Sequence, residues 1–78
     1  MSIEAFIRNV EEEFDDLKPG ILKPESTFRD ALEWNSINAL IMIAMVKNEY
    51  DYTITADDLV KSKTIQDIYN IITSRVKE

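Results

Sequence analysis

Apolar residues recur at helical spacing in the first stretch of the chain. Ile3, Phe6, Ile7, Val10, Phe14 and Leu17 follow one another in three- and four-residue steps. That period places them on one face of an amphipathic helix, and Ser2 stands where an N-cap side chain belongs. The pattern predicts a first helix over residues 2–16. Its other face carries Glu4, Glu11, Glu12, Glu13, Asp15 and Asp16. Pro19, Gly20 and Pro24 then form the one strong break.

From residue 17 to residue 35 the period is lost. Ile21, Leu22, Phe28, Ala31 and Leu32 punctuate this connection, so it should pack down onto the body. Thr27 with Asp30 three positions on reads as a capping box and predicts one helical turn before Asn35. A second helix should begin at Asn35 or Ser36 and end near Tyr50. Residues 39–46 within it are apolar almost all round. Such a helix is either covered on several sides or keeps an exposed apolar face.

The short alternation Tyr52, Thr53, Ile54 has no partner strand and reads as a linker. Thr55 with Asp58 forms a second capping box, opening a short helix over residues 56–61. Thr64 with Asp67 forms a third, opening a last helix over residues 65–76. Ile65, Ile68, Tyr69, Ile72 and Val76 share one face of that helix, and Arg75 and Lys77 sit at its carboxyl end, where the dipole favours cations. The expected fold is all-α, a four-helix bundle with three long helices and one short one. A long loop separates the first two helices.

At 78 residues the chain is read as one domain, residues 1–78. A domain this small buries about 60% of the surface its unfolded chain exposes. One thin core leaves little room for a deep preformed cleft. The chain has no cysteine and no histidine. Disulfides, thiolate chemistry and the commonest general base and metal ligand are therefore excluded. Catalysis would have to run on carboxylates, lysines or hydroxyls, which weighs against an enzyme.

The net charge of −6 argues against nucleic acid, which needs a basic patch, and against an anionic membrane surface. It favours basic patches on protein partners. The longest uncharged run, residues 34–46, is too short to span a bilayer, which takes about 20 residues. Glu4, Arg8 and Asn9 interrupt the first apolar stretch, so no signal peptide is read. A cytoplasmic monomer is the expectation. The acids of the first helix lack the spacing and central glycine of a calcium loop and are read as a solvated face, with no metal site.

The run Leu32-Glu33-Trp34-Asn35-Ser36-Ile37 follows the long loop and opens the most apolar helix. Here the chain resembles the acyl and peptidyl carrier protein family, whose signature is Asp-Ser-Leu at the start of the second helix. This sequence has Asn35-Ser36-Ile37. The resemblance extends to the length, the acidic first helix, the segment Thr27-Phe28-Arg29-Asp30-Ala31-Leu32, the helix from Ser36 to Tyr50 and the closing Thr64-Ile65-Gln66-Asp67-Ile68.

The resemblance implies an acyl-carrier-like bundle that catalyses nothing. Its covalent cofactor would be 4′-phosphopantetheine, attached to Ser36 by a holo-carrier-protein synthase (a phosphopantetheinyl transferase) from coenzyme A. Acyl-transferring and acyl-synthesising enzymes would then be its partners, in fatty acid or related lipid or polyketide biosynthesis. The position suits such an attachment, because a helix N-terminus favours a phosphodiester anion. The family's interior shelters the acyl chain, which assigns Leu40, Ile43, Val46, Leu59, Ile65 and Ile68 as lining, with Met42 and Met45 as adaptable filler. Trp34 is read as a loop anchor.

Two departures change the picture. The family's acid before the serine is Asn35 here. The family's second helix is usually acidic outside, whereas residues 36–50 hold only Lys47 and Glu49 as charges. Asn35, Ile37, Asn38, Ile41, Ala44 and Met45 are the expected docking residues, through apolar contacts rather than ion pairs. The alternative is that the apolar ones are simply core. Aminoacyl and peptidyl carriers share the architecture, as does an unmodified adaptor module. A carboxylate enzyme and a helix-turn-helix DNA binder are set aside.

Overall fold

A computed structural model describes residues 2–14 and 20–76. Five helices occur among them: α1 (Ile3–Glu13), α2 (Phe28–Ala31), α3 (Ser36–Tyr50), α4 (Ala56–Lys61) and α5 (Ile65–Arg75). Three are long, one is short and α2 is a single turn, an all-α bundle of the acyl-carrier type. The first helix, expected to reach residue 16, stops at Glu13, where Phe14 turns extended as its C-cap; residues 15–16 and Lys77 lie outside the described residues.

Local capping explains where most helices begin. Ser2 Oγ accepts the N–H of Ala5 and opens α1. Both downstream capping boxes form. Thr55 Oγ1 accepts from Asp58 N–H while Asp58 Oδ2 accepts from Thr55 N–H. Thr64 and Asp67 repeat the exchange at α5. The third expected box, Thr27 with Asp30, does not form, because no side-chain bond caps α2. Thr27 is extended there and pairs in an antiparallel bridge with Thr64. That bridge does not explain the missing box, because Thr64 sits in the same bridge and keeps its own.

The bridge belongs to a longer seam. Phe28 N–H donates to Lys63 C=O at 3.3 Å, Ile65 N–H to Ser26 C=O at 3.0 Å and Gln66 N–H to Pro24 C=O at 2.9 Å. The connection before α2 is thereby stitched to the start of α5. Glu11 anchors the other end of the described connection: its Oε2 accepts from Gly20 N–H at 2.9 Å and Leu22 N–H at 3.3 Å. Glu11 is thus not part of a merely solvated face.

One core joins the elements. α1 contributes Phe6 and Val10, α3 Met42, Met45 and Val46, and α5 Ile65, Ile68 and Ile72. Leu22, Phe28, Leu32, Ile54 and Leu59 close it from the connections, α2 and α4. Ile54 is fully buried, so the linker before α4 is packed down. Each such side chain contributes on the order of 1.5–3 kcal/mol by leaving water. Phe6 is the aromatic centre, with Tyr50 and Tyr69 at ring-centroid distances of 6.0 and 5.8 Å. The Tyr50 hydroxyl accepts from Asn9 Nδ2, tying α1 to the end of α3. α3 stops at Asp51, which takes the left-handed conformation (φ 52°) and donates its N–H to Lys47 C=O.

Candidate functional site

α3 begins with a division of labour among three neighbouring residues. Asn35 is the N-cap, extended, and its Oδ1 accepts from Asn38 N–H at 2.8 Å. Asn38 Nδ2 donates back to the carbonyl of Glu33. Ala39 N–H is satisfied by Asn35 C=O. Ser36, the first residue of the helix, is exposed and has no capping duty. Its own N–H and that of Ile37 have no intrahelical acceptor, so the positive end of a 15-residue helix faces outward beside its hydroxyl.

The other four serines of the chain are engaged. Ser2 Oγ caps α1, and Ser26 Oγ accepts from Lys23 N–H. Ser62 Oγ is buried and donates to Asp58 C=O, while Ser74 Oγ donates to Ile71 C=O. Among the serines of the described residues only the Ser36 hydroxyl is without a hydrogen bond of its own. A free, accessible hydroxyl on a rigid helix end is what covalent attachment needs. The first turn of α3 holds no acidic residue, so nothing on that turn opposes a phosphodiester anion. The residues present fit a phosphate ester at this position.

The turn before Ser36 is held from inside. The half-buried Trp34 packs edge-on against the fully buried Phe28, ring centroids 4.8 Å apart. Trp34 is therefore an anchor for the loop. Along the outside of α3, Ile37 is 67% and Leu40 64% exposed, with Ala44 exposed one turn further. Positions 37, 40 and 44 share a helical face. Asn35 is exposed beside it, and Asn38 and Ile41 are half-buried at its edge.

Two expectations are corrected here. Met45, expected on the docking face, is 2% exposed and packs in the core beside Met42 and Val46. Leu40, expected inside, points out. The inward stripe is Met42, Met45 and Val46, spaced by three and four, and that phase turns position 40 toward solvent. Ile43 is half-buried, whereas Val46, Leu59, Ile65 and Ile68 are interior as expected. Val60 on α4 is 72% exposed, which its neighbour Leu59, buried, did not signal. Among the described residues no group of three or more acids could hold a metal ion, and no helix is long and apolar enough to cross a membrane.

A helical bundle that offers one unengaged serine at the start of its most apolar helix has the frame of a carrier domain. Residues 5–72 match the family model described as phosphopantetheine attachment site, and the chain belongs to that family. Its members bind 4′-phosphopantetheine covalently, so the chain is a phosphopantetheine-carrying carrier protein. Such carriers are generally non-catalytic and work with a phosphopantetheinyl transferase and acyl-handling enzymes. No curated protein matches the chain.

Proposed function

We propose that Ser36 carries the 4′-phosphopantetheine arm and that residues 1–78 act as one acyl carrier domain in fatty acid or related lipid or polyketide biosynthesis. The observation that carries this reading is the Ser36 hydroxyl, exposed and unbonded at the first residue of α3 while Asn35 caps the helix. When bound, the arm's terminal thiol holds the acyl group as a thioester. The carrier's part is presentation: α3 is rigid, its end is positive, and Trp34 fixes the approach of the chain.

Asn35, Asn38 and Trp34, which hold the Ser36 turn, include no proton acceptor that works at neutral pH. We assign removal of the hydroxyl proton to a base of the transferase. The new bond joins Ser36 Oγ to the pantetheine phosphorus of coenzyme A, and the adenosine bisphosphate leaves. We therefore read the chain as non-catalytic and place it in the cytoplasm, where coenzyme A is available.

Ile37, Leu40 and Ala44, with Asn35 and Asn38, form the docking face, one that meets partners through apolar contact. The uncharged face also supports a second reading, an unmodified adaptor. The separating experiment incubates the chain with coenzyme A, magnesium and a broad-specificity transferase and reads the intact mass. A gain of one phosphopantetheine, absent in Ser36→Ala, supports the carrier; no gain with several transferases supports the adaptor.

A further inference from the structure

Arg29 stands on the single turn α2, and its side chain reaches across to α4. Nη1 donates to Ser62 C=O at 2.8 Å, and Nη2 donates to Leu59 C=O at 2.8 Å and Val60 C=O at 3.3 Å. These carbonyls lie at the carboxyl end of α4, where a helix leaves acceptors unpaired and its dipole is negative. Only a guanidinium fork serves three acceptors from two nitrogens in this way; a lysine ammonium is a point donor.

The same guanidinium lies 4.7 Å from the centroid of the Phe28 ring. Phe28 in turn meets Trp34, and Trp34 precedes Asn35 and Ser36. The end of α4, Arg29, Phe28, Trp34 and the Ser36 turn thus form one chain of contacts. The backbone seam from Pro24, Ser26 and Phe28 to the start of α5 does not involve the Arg29 side chain. The connection therefore stays attached if that side chain is lost. Among the helices, α4 packs chiefly on α5, and the Arg29 bonds add a polar tie from its end to the Phe28–Trp34 side of the Ser36 turn.

We propose that Arg29 is a positioning residue for modification of Ser36. It holds the end of α4 and the Phe28–Trp34 pair in one geometry, so a transferase meets α4 and the Ser36 turn in a set relative placement. This rests on the reading of Ser36 as the attachment site.

The test compares Arg29→Ala and Arg29→Lys with the native chain at full length. Three quantities are read: helix content by circular dichroism, emission of Trp34, the only tryptophan, and transferase kinetics with carrier concentration varied. With helix content retained, Arg29→Ala should shift Trp34 emission to the red. It should also raise the KM for the carrier roughly tenfold, as expected for losing charge-assisted bonds, while kcat stays within about twofold. Arg29→Lys should show the same changes at smaller amplitude, and it decides the matter should the alanine variant lose its helices. A folded variant with native Trp34 emission and native KM overturns the proposal. A native chain that no transferase modifies overturns the Ser36 reading instead, which keeps the two failures apart.

Discussion

Asn35 and Asn38 clasp the turn that holds Ser36 between them. Asn35 Oδ1 accepts the Asn38 N–H at 2.8 Å, and Asn38 Nδ2 donates to Glu33 C=O. A serine at a helix start commonly spends its hydroxyl on the backbone. Here the neighbouring amides take that role and the hydroxyl is left for chemistry.

The clasp sets a stability contrast. Asn35→Ala removes the cap and should cost about 1 kcal/mol. Ser36→Ala removes nothing the fold uses and should stay within about 0.5 kcal/mol of the native chain. Asn35→Asp keeps an acceptor and adds negative charge at the positive helix end, a gain of about 0.3–1 kcal/mol. Urea denaturation of the three variants checks the order.

Leu40 and Met45 lie on opposite sides of α3, 64% and 2% exposed. Met45→Ala opens the core and should destabilise by about 2–5 kcal/mol. Leu40→Ser should change stability by less than about 0.5 kcal/mol. The surface substitution should nonetheless weaken binding to the transferase, and native binding should depend only weakly on salt. Titrations at low and moderate salt check both; a steep loss of affinity with salt would speak for ion-pair docking.

Asp58 and Asp67 give the fold an acid limit. Asp58 is held below the ordinary carboxyl value of 3.8 chiefly by accepting the Thr55 N–H. Asp67 is lowered chiefly by the Thr64 N–H, then by that of Lys63. A carboxyl whose folded pKa lies below its unfolded value stabilises the fold above the unfolded value. That contribution is lost as pH falls through the folded one. Urea midpoints should therefore be level, as far as these groups decide, from neutral pH to about 5 and fall below about 4. Asp67→Asn should flatten part of that fall.

Asp51 closes α3 with φ 52°, a conformation glycine adopts without strain. Its carboxylate also pairs with Lys47 at 3.1 Å, an exposed i, i+4 contact worth a few tenths of a kcal/mol. Relief of the left-handed backbone, about 1 kcal/mol, outweighs that loss. Asp51→Gly should raise the thermal midpoint and Asp51→Ala should lower it.

What the sequence made legible was local. Ser2, Thr55 and Thr64 each find their partner three residues on, within one turn, so the helix starts they cap could be read directly. The Asn35-Ser36 start of α3 was legible for the same reason. Thr27 carried an equal local signal and formed no cap, a difference from its bridge partner Thr64 that nothing in the structure explains. The phase of α3 was hidden because residues 39–46 are apolar all round; only packing against the other helices separates Met45 from Leu40. Arg29 and Glu11 act on backbone groups distant in the chain, for which no spacing rule exists.

The central claim is that one hydroxyl, on Ser36, receives the arm. Fragmentation of the transferase-treated chain by tandem mass spectrometry locates the adduct. The account predicts phosphopantetheine on fragments containing Ser36 and on none that lack it. An adduct on Ser26 or Ser74, or one that persists in Ser36→Ala, would contradict it.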